Sequence, residues 1–514
     1  MNEQNNSHGG LFVSLKAIGY LLMLLGLIIL TPLLMLIFWP EEAYQAHCYI
    51  IPGVLSTFAG YLIMALTQSQ KVTTLKKFEG PRIVLIIWIV AVIVGAVPYL
   101  LSAEYTLSQS FFESISGFTT TGFTVTDVDN STHMLLLYRT IQQLVGGVGL
   151  ILVLTSVLSK TYGMQMFSAE GHIDRLTPSP LQSARTIILI YSGIIIGGTI
   201  TYIILGMDWF DAVNFSISAV ATGGYAPRAQ SIGYYHSIPI DIATMILMLL
   251  GATNFNATVF LFRGKIKEFF THYEVVTSAV LIAIATPIVF TMTLTYYVHP
   301  SILHTIDATF FHIISMLTTT GLSTIDNFLP DSHYALPIYF VLMVVGGQSG
   351  STAGGLKTSR FAMAVKGVYW DVRENLIPKR VVMPREITKL GKKEKITVGM
   401  QSQNFTYFFL YLAITLIGAA ALTLCGYDFK NALLEFTSAL GTTGLSFGII
   451  DQSTPAVALW IIDVGMIIAR LEIYIFIYAA ARTYLDISSS IKNARIRHRE
   501  NRRIRKEYYD RKEK

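Results

Sequence analysis

Four stretches of the chain read almost alike: FFESISGFTTTGFT (111–124), AVNFSISAVATGGY (212–225), FFHIISMLTTTGLS (310–323) and LLEFTSALGTTGLS (433–446). Set in register on glycine they align Gly122, Gly223, Gly321 and Gly444, each preceded by threonine at Thr121, Thr222, Thr320 and Thr443. Nine residues ahead of each glycine stands a polar residue: Glu113, Asn214, His312 or Glu435. A single TTTG reads as a polar turn at a helix end. Four copies at one topological place are a repeat with a period too long for a solenoid, and they predict a pseudo-fourfold axis.

The segment before each glycine is about ten residues, half of what a helix needs to cross a hydrocarbon core. It has to dip in and return, which is tolerated only where backbone is buried in protein or lines water. The C-terminal carbonyls of such a half-helix carry partial negative charge and draw a cation toward the midplane. Glycine beside them permits a backbone conformation closed to other residues, so carbonyls can point at a common axis. Four such turns make stacked oxygen rings able to replace an ion's hydration shell. Paired acid/base chemistry at Glu113 and Glu435 lacks a nucleophile or metal ligands, so both read as polar groups packing the half-helices.

Outward from these stretches the chain is that of a polytopic membrane protein. Of 514 residues 52% are hydrophobic and 14% charged, against about a quarter charged in soluble domains. That balance excludes a cytosolic enzyme, a secreted disulfide scaffold or a nucleic-acid-binding module as the main reading. The two cysteines, Cys48 and Cys425, provide neither a disulfide framework nor a Cys-rich metal site. Candidate spans are 17–39, 45–66, 83–103, 135–158, 186–206, 238–262, 275–297, 334–365, 403–425 and 455–480. Their connectors alternate in charge. Lys71, Lys76, Lys77, Arg82, Lys160, Arg175, Arg185, Arg263, Lys265, Lys267 and the 366–395 and 482–514 segments fall on one side. Glu41, Glu42, Glu104, Asp127, Asp129, Asp208, Asp211, Asp307, Asp326, Asp331 and Asp451 fall on the other. Cytoplasmic loops collect Lys and Arg, so ten spans with both termini inside are expected.

The organisation expected is all-α: a two-helix extension (1–78), span–pore-loop–span repeats at 79–165, 166–268, 269–370 and 401–485, a basic linker (371–400) between the third and fourth, and a basic tail (486–514). The eighth span is interrupted by GGQSGSTAGGLK (346–357), poor in helix propensity and costly in lipid, so it should line an aqueous cavity or pack small residues against a neighbouring helix. Arg470 lies deep in the last span and should face protein or water. Asp463, seven residues earlier, offers it an ion pair as the structural alternative.

With these residues the sequence resembles the Trk/Ktr/HKT superfamily of potassium transporters, and within it the TrkH branch, over almost its whole length. The resemblance rests on FESISGFTTTGFT (112–124), YRTIQQLVGGVGLI (138–151), LLGATNFNA (249–257), VVGGQSGSTAGGLKTSR (344–360) and ARLEIY (469–474). It implies a potassium filter at Thr120, Thr121, Gly122, Ala221, Thr222, Gly223, Thr319, Thr320, Gly321, Thr442, Thr443 and Gly444. It also implies a gate made of a loop beneath the third filter, Gly346, Gly347, Gln348, Ser349, Gly350, Ser351, Thr352, Ala353, Gly354, Gly355 and Lys357, with Arg470 as an electrostatic barrier opposite. Serine at the first filter glycine goes with sodium permeation in this superfamily; four glycines favour potassium. Two protomers in a bacterial inner membrane, a cytoplasmic nucleotide-binding regulator ring, potassium as the transported ion and no organic cofactor or nucleic acid are what the resemblance further implies. Ala221, set against Thr120, Thr319 and Thr442, is a departure that keeps the carbonyl. The tail KNARIRHRENRRIRKEYYDRKEK (492–514) reads as a solvated charged segment, with anionic lipid or the regulator ring as its functional rival. A proton- or sodium-coupled symporter, a sodium-selective relative and a membrane enzyme are the alternatives; the last would need a His/Asp/Cys or Ser/His cluster that the spans lack.

Overall fold

A computed structural model describes residues 2–67, 79–149, 180–296, 301–325, 335–378, 384–485 and 488. The continuation of the fourth span past Gly149, the connectors holding Lys71 to Lys77 and Lys160 to Arg175, and the tail from Lys492 lie outside these residues. Six helices are long and apolar enough to cross a bilayer unaided, within 15–37, 47–67, 81–101, 182–204, 273–294 and 398–424.

The chain opens with a helical hairpin, α1 (Asn2–Leu30) and α2 (His47–Thr67). Side-chain-free faces let the two backbones touch: a Cβ on Gly26 would meet Gly53 O at 2.6 Å, and one on Gly60 would meet Gly19 O at 2.6 Å. In hydrocarbon, where burial of apolar surface does not drive association, such close packing does. Four triplets follow. The first comprises α3 (Glu79–Leu101), the short α4 (Leu107–Phe118) and α5 (His133–Val148). The second comprises α6 (Pro180–Ile204), α7 (Trp209–Val220) and α8 (Ile238–Ala252), with α9 (Phe255–Phe262) turned 117° from α8. The third has α10 (Tyr273–Tyr296), α11 (Ile302–Leu317) and α12 (Leu336–Val345), and continues after an irregular loop as α13 (Thr358–Leu376). The fourth has α14 (Val398–Leu424), α15 (Phe429–Gly441), α16 (Ala456–Leu471) and α17 (Ile473–Leu485).

The short helices α4, α7, α11 and α15 start on polar caps. Thr106 forms a capping box with Gln109, Asp208 accepts from Phe210 N, Ser301 from His304 N and Asp428 from Lys430 N. These caps satisfy free N–H groups at one end and leave carbonyls at the other. Each short helix packs on the first span of its own triplet and on the second span of the preceding one: α4 on α3 and α16, α7 on α6 and α5, α11 on α10 and α8, α15 on α14 and α12. That arrangement closes on itself around one axis.

Two features differ from the sequence reading. The interruption expected only in the eighth span has counterparts in the second and fourth repeats, and in the first the helix ends at the last described residue, Gly149. The second-span helices end at Gly149 (φ +97°), at Thr253, at Gly346 (φ +68°) and at Glu472 (φ +58°). The basic linker also holds a β-hairpin, β1 (Glu386–Lys389) against β2 (Lys392–Lys395), turned through Leu390 and Gly391 at φ +48° and +78°.

Candidate ion path

At the carbonyl ends of α4, α7, α11 and α15 the chain makes one repeated turn. Thr120, Thr222, Thr319 and Thr442 are left-handed, with φ from +50° to +56°. Two residues on, Gly122, Gly224, Gly321 and Gly444 are left-handed as well, at φ +77° to +91°. Between them Thr121, Gly223, Thr320 and Thr443 donate their N–H groups back to Ser116, Ser218, Ser315 and Ser438 at 2.8–3.0 Å.

This geometry corrects the register of the second repeat by one residue. Gly224, not Gly223, matches the other three glycines. Gly223 stands where they have Thr121, Thr320 and Thr443, Thr222 matches Thr120, Thr319 and Thr442, and Ala221 matches Thr119, Thr318 and Gly441. Asn214 leaves the polar set too; its place belongs to Phe215. Glu113 accepts from Thr124 Oγ1 and Val125 N, both at 2.7 Å, and Glu435 from Ser446 Oγ at 2.9 Å and Phe447 N at 2.5 Å. His312 Nε2 lies 3.1 Å from Ser323 Oγ. These three brace the strand that leaves each turn. Asn214 instead contacts Thr140 Oγ1 on α5 at 2.5 Å.

The turns close a ring. A Cβ added to Gly122 would overlap Gly223 O, one on Gly224 would overlap Thr320 O, one on Gly321 Thr443 O, and one on Gly444 Thr121 O. Each glycine is thus pressed on a carbonyl of the next repeat, and a side chain there would be strained by the positive φ and would have to displace that carbonyl.

Behind the ring sits a group that the span assignment passed over. Arg139, 1% exposed in α5, lies 3.3 Å from Glu113 Oε2 and stacks 4.1 Å over the Tyr225 ring. Tyr225 Oη donates to Glu113 O at 3.1 Å. An arginine within an apolar run was the available signal.

Beneath the ring lies the loop 346–357. Thr222 Oγ1 donates to Thr352 Oγ1 at 3.1 Å, and Gly354 N donates to Thr319 Oγ1 at 2.8 Å. A Cβ on Gly354 would overlap Thr442 Oγ1. The loop therefore underlies three of the four left-handed threonines. Gln348 N and Thr352 N donate to Ala252 O and Gly251 O at 3.0 and 3.3 Å, Phe255 N donates to Gly350 O at 2.8 Å, and Ser349 N donates to Glu274 Oε1 at 3.0 Å. Gly346 and Gly347 carry the chain out of α12; Gly347 O accepts from Thr358 N at 2.8 Å. Ser351 Oγ donates to Gln348 O at 2.6 Å, Lys357 Nζ donates to Ala353 O, and Gly355 is left-handed at φ +79°.

The fourth quadrant is held by Arg470. Its guanidinium donates to Thr352 O at 3.0 Å and to Gly146 O and Gly147 O at the end of α5. The pairing with Asp463 does not form; both Asp463 oxygens are buried with no hydrogen-bond partner among the described residues. Arg470 instead uses main-chain carbonyls freed where α5 stops, a site that no side-chain spacing announces. Between Arg470, Lys357, Ser351 and Thr442 a cavity of about 40 Å³ remains, room for a few waters. Among the described residues no group of His, Cys, Asp and Glu could hold a metal in the manner of a resident cofactor.

Comparison with known proteins agrees with this architecture. The chain is 29% identical to the Trk system potassium uptake protein TrkH of Escherichia coli over 80% of its length and 86% of that protein. It is 26% identical to an uncharacterised cation transporter of Methanocaldococcus jannaschii over 93% of this chain and 97% of the other. The crystal structure of the potassium transporter TrkH from Vibrio parahaemolyticus superposes with a TM-score of 0.79, covering 90% of this chain and 97% of that one at 23% identity. A family model described as TrkH, cation transport protein, matches residues 53–486. With that match spanning most of its length, the chain belongs to the TrkH family of cation transport proteins.

Proposed function

We propose that this chain takes up potassium across a bacterial inner membrane through a gated, channel-like path whose filter is the carbonyl ring. The observation that carries the reading is the closed ring itself, set at the partially negative ends of four half-helices and lined by backbone oxygen. The filter is Thr120 to Gly122, Thr222 to Gly224, Thr319 to Gly321 and Thr442 to Gly444, with Ala221 behind it. Glycine at every ring place supports potassium as the transported ion, since serine there accompanies sodium permeation in the superfamily. The loop 346–357 and Arg470 form the gate: a guanidinium below a ring of oxygens raises the barrier for a monovalent cation, most where the local dielectric is low. The basic connectors and both termini face the cytoplasm, two protomers associate, and a nucleotide-binding regulator ring docks on the cytoplasmic side. The seven-part division of the chain, extension, four repeats, linker and tail, follows the same plan.

Potassium, rubidium and sodium flux into proteoliposomes tests this. Serine at each of Gly122, Gly224, Gly321 and Gly444 should lower the potassium-to-sodium ratio, because the new side chain forces the neighbouring carbonyl outward. Unchanged ratios in all of them would remove the filter assignment. Proton coupling is the second reading, favoured by the buried carboxyl of Asp463, neither oxygen of which has a hydrogen-bond partner among the described residues. It predicts that an imposed proton gradient drives uptake and that Asp463→Asn abolishes this dependence; flux indifferent to the gradient rejects it.

A further inference from the structure

Behind the ring the second repeat is the one with no hydroxyl at either of two places; the fourth keeps one, Thr443, beside Gly441. In the first and third repeats two hydroxyls lie side by side there, Thr119 with Thr121 at 2.7 Å and Thr318 with Thr320 at 2.8 Å. The second has Ala221 and Gly223 in those places and can form no such pair. Gly223 is not demanded by the backbone, because its φ lies outside the left-handed region that Gly224 occupies. What excludes a side chain is Gln143: a Cβ on Gly223 would overlap the Gln143 amide.

Gln143 projects from α5, is fully buried, and its Nε2 donates to Gly223 O at 2.5 Å. The opposite amide flip would set two acceptors face to face. Gly223 O is the ring oxygen against which Gly122 is pressed. The matching place one repeat on shows the complement. Gly146 and Gly251 each sit on the last carbonyl of a short helix, Phe118 O and Val220 O, and three residues before them stand Gln143 and Met248. Met248 is buried on α8, which packs on α11, and the loop after α11 keeps its own threonine pair. A polar side chain thus reaches across to the loop that lacks both hydroxyls, and an apolar one to the loop that has both; the fourth loop, with Gly441 and the single hydroxyl of Thr443, forms no pair and faces Met343.

We propose that Gln143 is a specificity-determining positioning residue, standing in for the missing hydroxyl pair of the second repeat and anchoring the Gly223 carbonyl in the ring. The inference rests on the ring being the filter. An N–H that engages this oxygen fixes where it points and makes one quadrant of the cage stiffer than a free carbonyl would be. Ion preference then depends on a residue that touches no ion.

The test is flux of potassium and sodium through purified, reconstituted full-length protein. Gln143→Leu keeps the bulk and removes the donor; the potassium-to-sodium ratio should fall roughly fivefold, the size of one net hydrogen bond. Gly223→Thr alone should lower the ratio as well, because the threonine meets Gln143. The triple variant Gln143→Ala, Ala221→Thr, Gly223→Thr should recover the ratio, since the vacated space then holds a threonine pair. Gly321→Ser, in another repeat, serves as the control for the filter itself. An unchanged ratio in Gln143→Leu beside a lowered one in Gly321→Ser overturns the role of Gln143 and leaves the filter standing. No change in either removes the filter and this inference with it. Should Gln143→Leu fail to fold, the triple variant decides: a folded triple variant with a lowered ratio overturns the proposal.

Discussion

Arg470 illustrates how a residue legible in the sequence finds a partner that is not. Its charge in a span announced a cavity or a buried pair, and Asp463 stood at a suitable helical spacing. The carbonyls freed at the end of α5 and in the 346–357 loop take the guanidinium instead. Asp463 and Arg470 should therefore act independently. Arg470→Ala is expected to increase potassium flux without changing which ion is preferred, because the ring lies above it. Adding Asp463→Asn should leave that increase intact, and their effects on thermal stability should add to within about 0.5 kcal/mol. A double-mutant cycle measuring flux and stability checks both, and strong coupling in the cycle would restore the ion-pair reading. The register error has a similar origin. ATGGY offers two glycines, and Asn214 falls nine residues before the wrong one. Only the φ values and back-donated hydrogen bonds separate Gly224, which the backbone requires, from Gly223, which Gln143 requires.

Elements were legible where apolar length or glycine density marked them, and hidden where one residue ends a helix. The break at 346–357 carries five glycines and was visible; those at Thr253 and Glu472, and the helix end at Gly149, rest on a residue or two each. The linker hairpin was masked by its lysines, which speak for solvent rather than for a strand. The start of α5 was hidden for another reason, since its partner comes from far away in sequence. Glu42, in the turn after α1, accepts from His133 N at 2.8 Å, Met134 N at 3.1 Å and His133 Nδ1 at 2.7 Å, while Trp39 stacks on His133 at 3.7 Å. The sequence marked Glu42 only as an acid on the outer side. Glu42→Ala would strand the buried Met134 N–H and leave the half-buried His133 donors to water, at a cost of about 1 kcal/mol. A lowered melting temperature in detergent with an unchanged potassium-to-sodium ratio is the expected outcome. An unaltered melting temperature would deny the two-helix extension its part in holding α5.

For the whole molecule, the fourfold plan was readable because four copies of a short motif are hard to misjudge, and the membrane because charge is so scarce. Sidedness follows from where that charge collects. The loop bearing Asp127 and Asp129 should react with impermeant reagents from outside, and Lys389, Lys392 and Lys393 on the hairpin only from inside. Single-cysteine labelling in intact cells measures this, and both positions reacting from one side would overturn the span count.

The interlocked glycines also bear on how such a chain can change over generations. Because each one rests on an oxygen contributed by the following quarter and the last returns to the first, a change at a ring glycine of one quarter is felt by the next. A duplicated ancestor with identical quarters would be free to diverge on its lipid-facing surface, while at the ring glycines an added side chain would have to be accommodated by the neighbouring quarter. The second quarter, with no hydroxyl at either place and a glutamine from the first bonded to its oxygen, is where such an exchange would be sought.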